Sequence, residues 1–108
     1  MTCNAKNEFL AMLENYETEN CKLVAAEIDY EGKGMQKVSC ILYADHTPAE
    51  RELFLQKLDF NYDNSYGAQF LFGNAWFSDE SWADRAEYDG SEWWRCNKRP
   101  PLPIRNKL

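Results

Sequence analysis

Between Asp79 and Glu92 the chain places six carboxylates, Asp79, Glu80, Asp84, Glu87, Asp89 and Glu92, within fourteen residues, with Trp82 and Tyr88 among them and Trp93 and Trp94 directly after. Three chemistries use such material. A pair of carboxylates flanking an aromatic platform is the equipment of glycoside cleavage, one acting as acid and the other as base or nucleophile. Glu87 and Glu92 are the candidates here, because strand register across Asp89-Gly90 could bring them onto one face. The pair would need a deep cleft, for which a chain of 108 residues has little material. Spaced acids can also hold a divalent cation, but Asp79, Glu80 and Asp89 do not follow the ligand spacing of a calcium loop. Third, carboxylates held a few ångströms apart on a stiff sheet can stand in for phosphates before an arginine-rich surface, with tryptophans as desolvated anchors.

Other catalytic material is sparse. His46 is the single histidine and adjoins a helix start, with no serine or cysteine motif beside it. Cys3, Cys21, Cys40 and Cys96 form no C-x-x-C pair and have no histidine at metal-ligand spacing, so four free thiols are expected, Cys40 filling a strand position as a small hydrophobe. Glu31-Gly32-Lys33-Gly34 is too short for a phosphate-binding loop. No cofactor and no metal are implied.

The elements that position the acids follow from alternation and turn chemistry. Asp89-Gly90 between Trp82-to-Tyr88 and Ser91-to-Cys96 predicts a type I′ hairpin, and Ser78-Asp79-Glu80-Ser81 predicts a longer hairpin loop before it, giving a three-stranded meander from Phe70 onward. Along its first strand, Phe70, Phe72, Asn74 and Trp76 oppose Leu71, Gly73, Ala75 and Phe77, apolar on both sides, which predicts a central strand. In the second, the acids and Arg85 call for a wet face. In the third, one of Trp93 and Trp94 anchors the core while the other faces out.

Upstream, Asn4 to Tyr16 predicts an amphipathic helix with Phe9, Leu10, Leu13 and Tyr16 on its stripe and Met12 at the margin, stopping near Tyr16 where Glu14, Glu17 and Glu19 oppose the helix dipole. Thr2 or Asn4 can cap it. Lys22 to Tyr30, with Val24, Ala26, Ile28 and Tyr30 on one face, and Gln36 to Ala44, with Val38, Cys40, Leu42 and Ala44, form an antiparallel hairpin. Thr47, Pro48 and Glu50 spell a capping box opening a second helix that runs to about Leu58 on Leu53, Phe54 and Leu58. Asp59 to Tyr66 is an irregular connection. The expected fold is α+β, an antiparallel sheet of about five strands with two helices in the order α-β-β-α-β-β-β and both helices on one side. It forms one domain, 1–108, with a proline-rich basic arm at 97–108.

Charge is divided along the chain. All eighteen acidic groups lie within residues 1 to 94, against seven basic ones, and residues 95 to 108 hold five basic groups and no acid. An acidic body repels nucleic acid and anionic membranes and attracts basic surfaces. With neither a signal-peptide pattern nor an apolar run near twenty residues, a cytoplasmic location is expected. The arm, NKRPPLPIRNKL, favours an extended polyproline path that either docks across the domain's own tryptophans or serves as a ligand for another protein.

The segment FLFGNAWFSDESWADRAEYDGSEWWRCNKRPPLP resembles small proteins of bacteriophages and other mobile elements, in which an LFG-x-x-W segment precedes W-x-x-R-x-EYDGSEWW and a proline-rich end. The resemblance covers Tyr62 to Leu108 and implies no catalytic residue. By class, it suggests an inhibitor of host defence, such as an anti-CRISPR protein occupying a nuclease's nucleic-acid-binding surface. The expected partner is the basic surface of a larger protein or ribonucleoprotein complex, engaged through Asp79, Glu80, Trp82, Asp84, Glu87, Asp89, Glu92 and Trp93. The alternatives are a small enzyme or ligand binder using Glu87 and Glu92, and a homodimer through a sheet edge.

Overall fold

The computed structural model describes residues 2–32, 37–63, 69–88 and 91–98. Two helices and seven strands follow in the order β1 (Thr2–Asn4), α1 (Ala5–Tyr16), β2 (Leu23–Glu31), β3 (Lys37–Leu42), α2 (Pro48–Lys57), β4 (Asn61–Asp63), β5 (Leu71–Phe77), β6 (Trp82–Tyr88) and β7 (Ser91–Asn97). Five strands make one antiparallel sheet in the spatial order β3-β2-β5-β6-β7. The expected α-β-β-α-β-β-β order holds, with β1 and β4 added as a two-stranded sheet pairing Cys3 with Tyr62. That small sheet occupies part of the segment expected to be an irregular connection.

Each helix starts where its capping chemistry dictates. Asn4 caps α1 by accepting a hydrogen bond from the Asn7 amide at 2.9 Å, and Thr47 and Glu50 close the reciprocal box on α2. The apolar stripes differ in detail from expectation. Ala5, Phe9, Met12 and Leu13 form the buried face of α1, so Met12 is core and Leu10 is exposed. On α2 only Phe54 is buried within the helix, with Leu58 at its C-cap, and Leu53 points to solvent. Neither stripe could be placed from spacing alone, because two adjacent leucine-like residues compete for one core position and the partner surface decides.

Both helices lie on the same face of the sheet. Phe9 of α1 meets Phe54 of α2 and Trp94 of β7 edge-on, with ring centroids 5.5 and 5.6 Å apart, above a floor of Leu23, Ala26, Ile28, Cys40, Leu42, Leu71, Ala75, Phe77 and Ala83. The β2 alternation breaks once. A register shift between Leu23 and Ala25 puts Leu23 in the core where Val24 was expected. Gly73, opposite Ile28 in the register, is required by close approach: a Cβ there would stand 2.6 Å from the Glu27 carbonyl oxygen.

Candidate functional site

Because strand neighbours in register share a face, the pairing assigns the sheet's second face, the one without helices. It carries Lys37, Ser39 and Ile41 of β3; Ala25, Glu27, Asp29 and Glu31 of β2; Phe72, Asn74 and Trp76 of β5; Trp82, Asp84, Ala86 and Tyr88 of β6; and Ser91, Trp93, Arg95 and Asn97 of β7. No described element covers it. Phe72, Trp76 and Trp93 are 40, 41 and 43% exposed, and Ile41 and Tyr88 50 and 77%. Large aromatic side chains exposed together on one sheet face, rimmed by polar groups, are a feature of interaction surfaces.

Its charges are four carboxylates, Glu27, Asp29, Glu31 and Asp84, and two cations, Lys37 and Arg95. Some are already engaged. Asp84 receives Arg95 through both Nε (3.1 Å) and Nη2 (3.0 Å) and the Asn97 amide at 3.0 Å; the Arg95 hydrogen bond, more than Asn97's, holds the Asp84 carboxyl below its ordinary pKa. Ser39 donates to Asp29, and Lys37 stands across from Glu31 in the register. Glu27 lies exposed on β2, between Ile41 and Asn74.

The sequence-predicted residues do not form one surface. Trp82, Asp84 and Trp93 share the open face. Asp79 and Glu80 sit in the β5–β6 loop at one end of the ribbon, where Asp79 accepts from the Ser81 amide at 3.0 Å and from its hydroxyl, and Glu80 adopts a left-handed φ of 71°. Those Ser81 bonds hold the Asp79 carboxyl below its usual range. Glu87 is exposed near the other end of β6, about 23 Å of strand away. Asp89, with the Asp89-Gly90 turn, lies outside the described residues, although the flanking strands pair Tyr88 with Ser91 as a two-residue connection requires.

Glu92 belongs to the core. It is Glu87's register partner, as the hairpin predicted, yet its side chain is fully buried and accepts hydrogen bonds from the Phe70 and Leu71 amides at 2.8 and 3.1 Å. The same carboxylate pairs with Arg85 Nη2 at 3.2 Å. Arg85, expected on a wet face, is 1% exposed on the helix side. Glu8 of α1 lies 3.6 Å from Arg85 Nη1, and the Tyr62 hydroxyl accepts from Nη2 at 2.6 Å while donating to Glu8. Desolvation, more than any neighbour, pushes the Tyr62 phenol well above its normal value, so it remains a donor. Trp94 and Tyr62 face the guanidinium, with ring centroids 5.3 and 5.9 Å from Cζ. Alternation alone could not tell which ribbon face is wet, because the deciding contacts come from residues 8 and 62.

The remaining candidates are plain. All four cysteines are free thiols; Cys40 is buried, its Sγ 3.7 Å from the Ile28 carbonyl, and burial lifts its pKa to about 11. His46 sits in a loop with Nδ1 2.6 Å from the Tyr43 carbonyl oxygen. Among the described residues no cluster of three His, Cys, Asp or Glu side chains could hold a metal ion, and no helix is long and apolar enough to cross a membrane. A depression of about 240 Å³ between α1 and Trp94 and another of about 230 Å³ beside Cys40 and Phe54 are smaller than typical ligand sites and hold none of the predicted acids. No protein-family model matches the chain, and no curated protein or solved structure matches it.

Proposed function

We propose that the protein is a binding protein that docks its open sheet face on a cationic surface of a larger protein. The observation that carries this reading is that no described element covers the exposed Phe72, Trp76, Trp93 and Tyr88, which share the sheet face of Glu27, Asp29 and Glu31. Exposed aromatics on a hydrogen-bonded sheet supply rigid anchors at low entropic cost, and these residue types dominate interface energies. The acids give the partner its sign: four carboxylates against two cations repel a phosphate backbone and speed encounter with arginine and lysine. Asp79 and Glu80, exposed in the β5–β6 loop, extend that field at the rim, whereas Glu87 belongs to the strand face that carries Glu92 and Glu92 acts through the fold. A partner that itself grips nucleic acid presents such a surface, and the role that follows is inhibition, in the manner of an anti-defence protein from a mobile element. The paired-carboxylate chemistry of Glu87 and Glu92 is not favoured, since the Glu92 oxygens are already committed to two amides and Arg85.

Affinity capture from host lysate tests the reading with three baits: the unmodified chain, a face variant (Glu27→Lys, Trp93→Ala) and a helix-side control (Glu14→Lys, Glu52→Lys). The expected result is a partner retained by the unmodified and control baits, lost with the face variant and released by salt. A partner held equally by all three baits, or none at all, would rule it out.

A further inference from the structure

We infer that β3, the outer strand beside α2, is the contact through which two copies of the chain pair edge to edge and antiparallel, joining their sheets into one. The inference does not rest on the docking reading above, which uses the open face of the sheet rather than its edge.

Backbone direction identifies the free groups. Glu31 donates its amide to the Phe70 carbonyl oxygen at 2.8 Å, and the Leu71 amide turns away from β2 to reach Glu92 at 3.1 Å. Successive residues of an antiparallel strand aim their N–H and C=O groups to opposite sides, so Tyr30, Ile28 and Ala26 bond to β3 through their register partners Val38, Cys40 and Leu42. Lys37, Ser39 and Ile41 are left aiming theirs outward. No described strand meets them, since β3 ends the spatial order of the sheet. Such an edge takes up a further strand through main-chain hydrogen bonds.

The edge is flanked by uncovered apolar groups. Burial lifts the Cys40 pKa and the charge of Lys57 draws it back, which places the last turn of α2 beside Cys40, so the helix returns antiparallel along the strand it follows. A groove of about 230 Å³ lies between them, with Cys40, Ile41 and Tyr43 on one wall and Glu50, Leu53 and Lys57 on the other. Ile41, Tyr43 and Leu53 are 50, 62 and 59% exposed. A strand added at β3 would cover all three.

Charge selects the occupant. The α2 wall carries an acid, Glu50, at one end and a cation, Lys57, two helical turns or about 10 Å further on, with Leu53 midway. A two-fold axis reverses one copy against the other. It sets Glu50 of each copy against Lys57 of the other and brings the two Leu53 side chains together at the axis. The strand repeats the pattern: Lys37 opens β3 and the exposed Asp45 lies just past its end, so the same reversal carries Lys37 of one copy toward Asp45 of the other. An unrelated strand and helix would have to match this order of charges by their own sequence, whereas a second copy matches it by symmetry.

Sedimentation of the full chain over a wide range of concentrations, with hydrogen exchange of single amides at both ends of that range, tests the inference. The expected result is a reversible monomer–dimer equilibrium in which the Ser39 and Ile41 amides exchange more slowly as dimer accumulates, while the Cys40 amide is protected throughout. Ile41→Lys and Leu53→Glu, both at exposed positions, should each weaken dimerisation by roughly tenfold or more without moving the urea midpoint of the monomer. Lys57→Glu should weaken it too, and Trp93→Ala on the open face should leave it unchanged. A chain that stays monomeric at every concentration would overturn the inference. So would a dimer that survives Ile41→Lys and Leu53→Glu, one that is lost with Trp93→Ala, or Ser39 and Ile41 amides whose exchange ignores concentration. The outcome of the capture experiment does not enter this result, so the two readings fail separately.

Discussion

Glu92 and Glu87 face each other across β6 and β7, yet one is structural and the other is surface. Glu92 accepts from two amides at the start of β5 and neutralises a buried guanidinium, and removing one partner of such a pair leaves a stranded charge costing about 3–5 kcal/mol. Glu92→Ala should lose that much stability in urea unfolding, and Glu87→Ala should stay within about 0.5 kcal/mol of the parent. Equal effects would contradict the placement of Glu92. Asp84 offers a pH signature. Its folded-state pKa is depressed by Arg95, so its contribution is present above the ordinary carboxylate value and is lost as pH falls through the lower folded one. The stability of Asp84→Asn should therefore fall less steeply below about pH 4 than the parent's. Strand period allowed Glu87 and Glu92 to share a face, and the register pairs them. It could not show that Arg85 would be buried beside Glu92, because Glu8 and Tyr62, which complete the cluster, lie 54 residues apart in the chain.

At the scale of elements, local chemistry was the most legible. The α2 box, the α1 cap and the β5–β6 loop each follow from side chains bonding backbone within four residues. Thr47→Ala should cost about 1 kcal/mol by loss of the Glu50 amide bond. Gly73→Ala should cost more, about 1–3 kcal/mol, since β2 backbone fills the space a methyl would need; an unchanged urea midpoint would mean β5 and β2 are less close than described. The central position of β5 was legible from its two apolar faces, whereas the β2 register shift and the choice of Met12 over Leu10 were not. Those depend on which residues the opposing layer presents, and that is settled only when α1, α2 and the sheet meet.

For the whole molecule, the fold concentrates its helices and buried charge cluster on one side of the sheet and leaves the other to aromatic and acidic groups. The acidic aromatic surface sought in the meander is only partly there: Trp82, Asp84 and Trp93 share the open face, Glu92 turns inward, and β2 supplies Glu27, Asp29 and Glu31, the last of them from a position expected in the turn. On the proposed docking reading, affinity is tied to ionic strength, since exposed ion pairs weaken as the screening length shortens. The most direct measurement is the dissociation constant of the captured partner for Glu27→Lys, Trp93→Ala against Glu14→Lys, Glu52→Lys. Loss of one aromatic anchor at about 2 kcal/mol predicts a weakening of roughly 30-fold or more for the face variant alone, and equal constants for the two variants would contradict it.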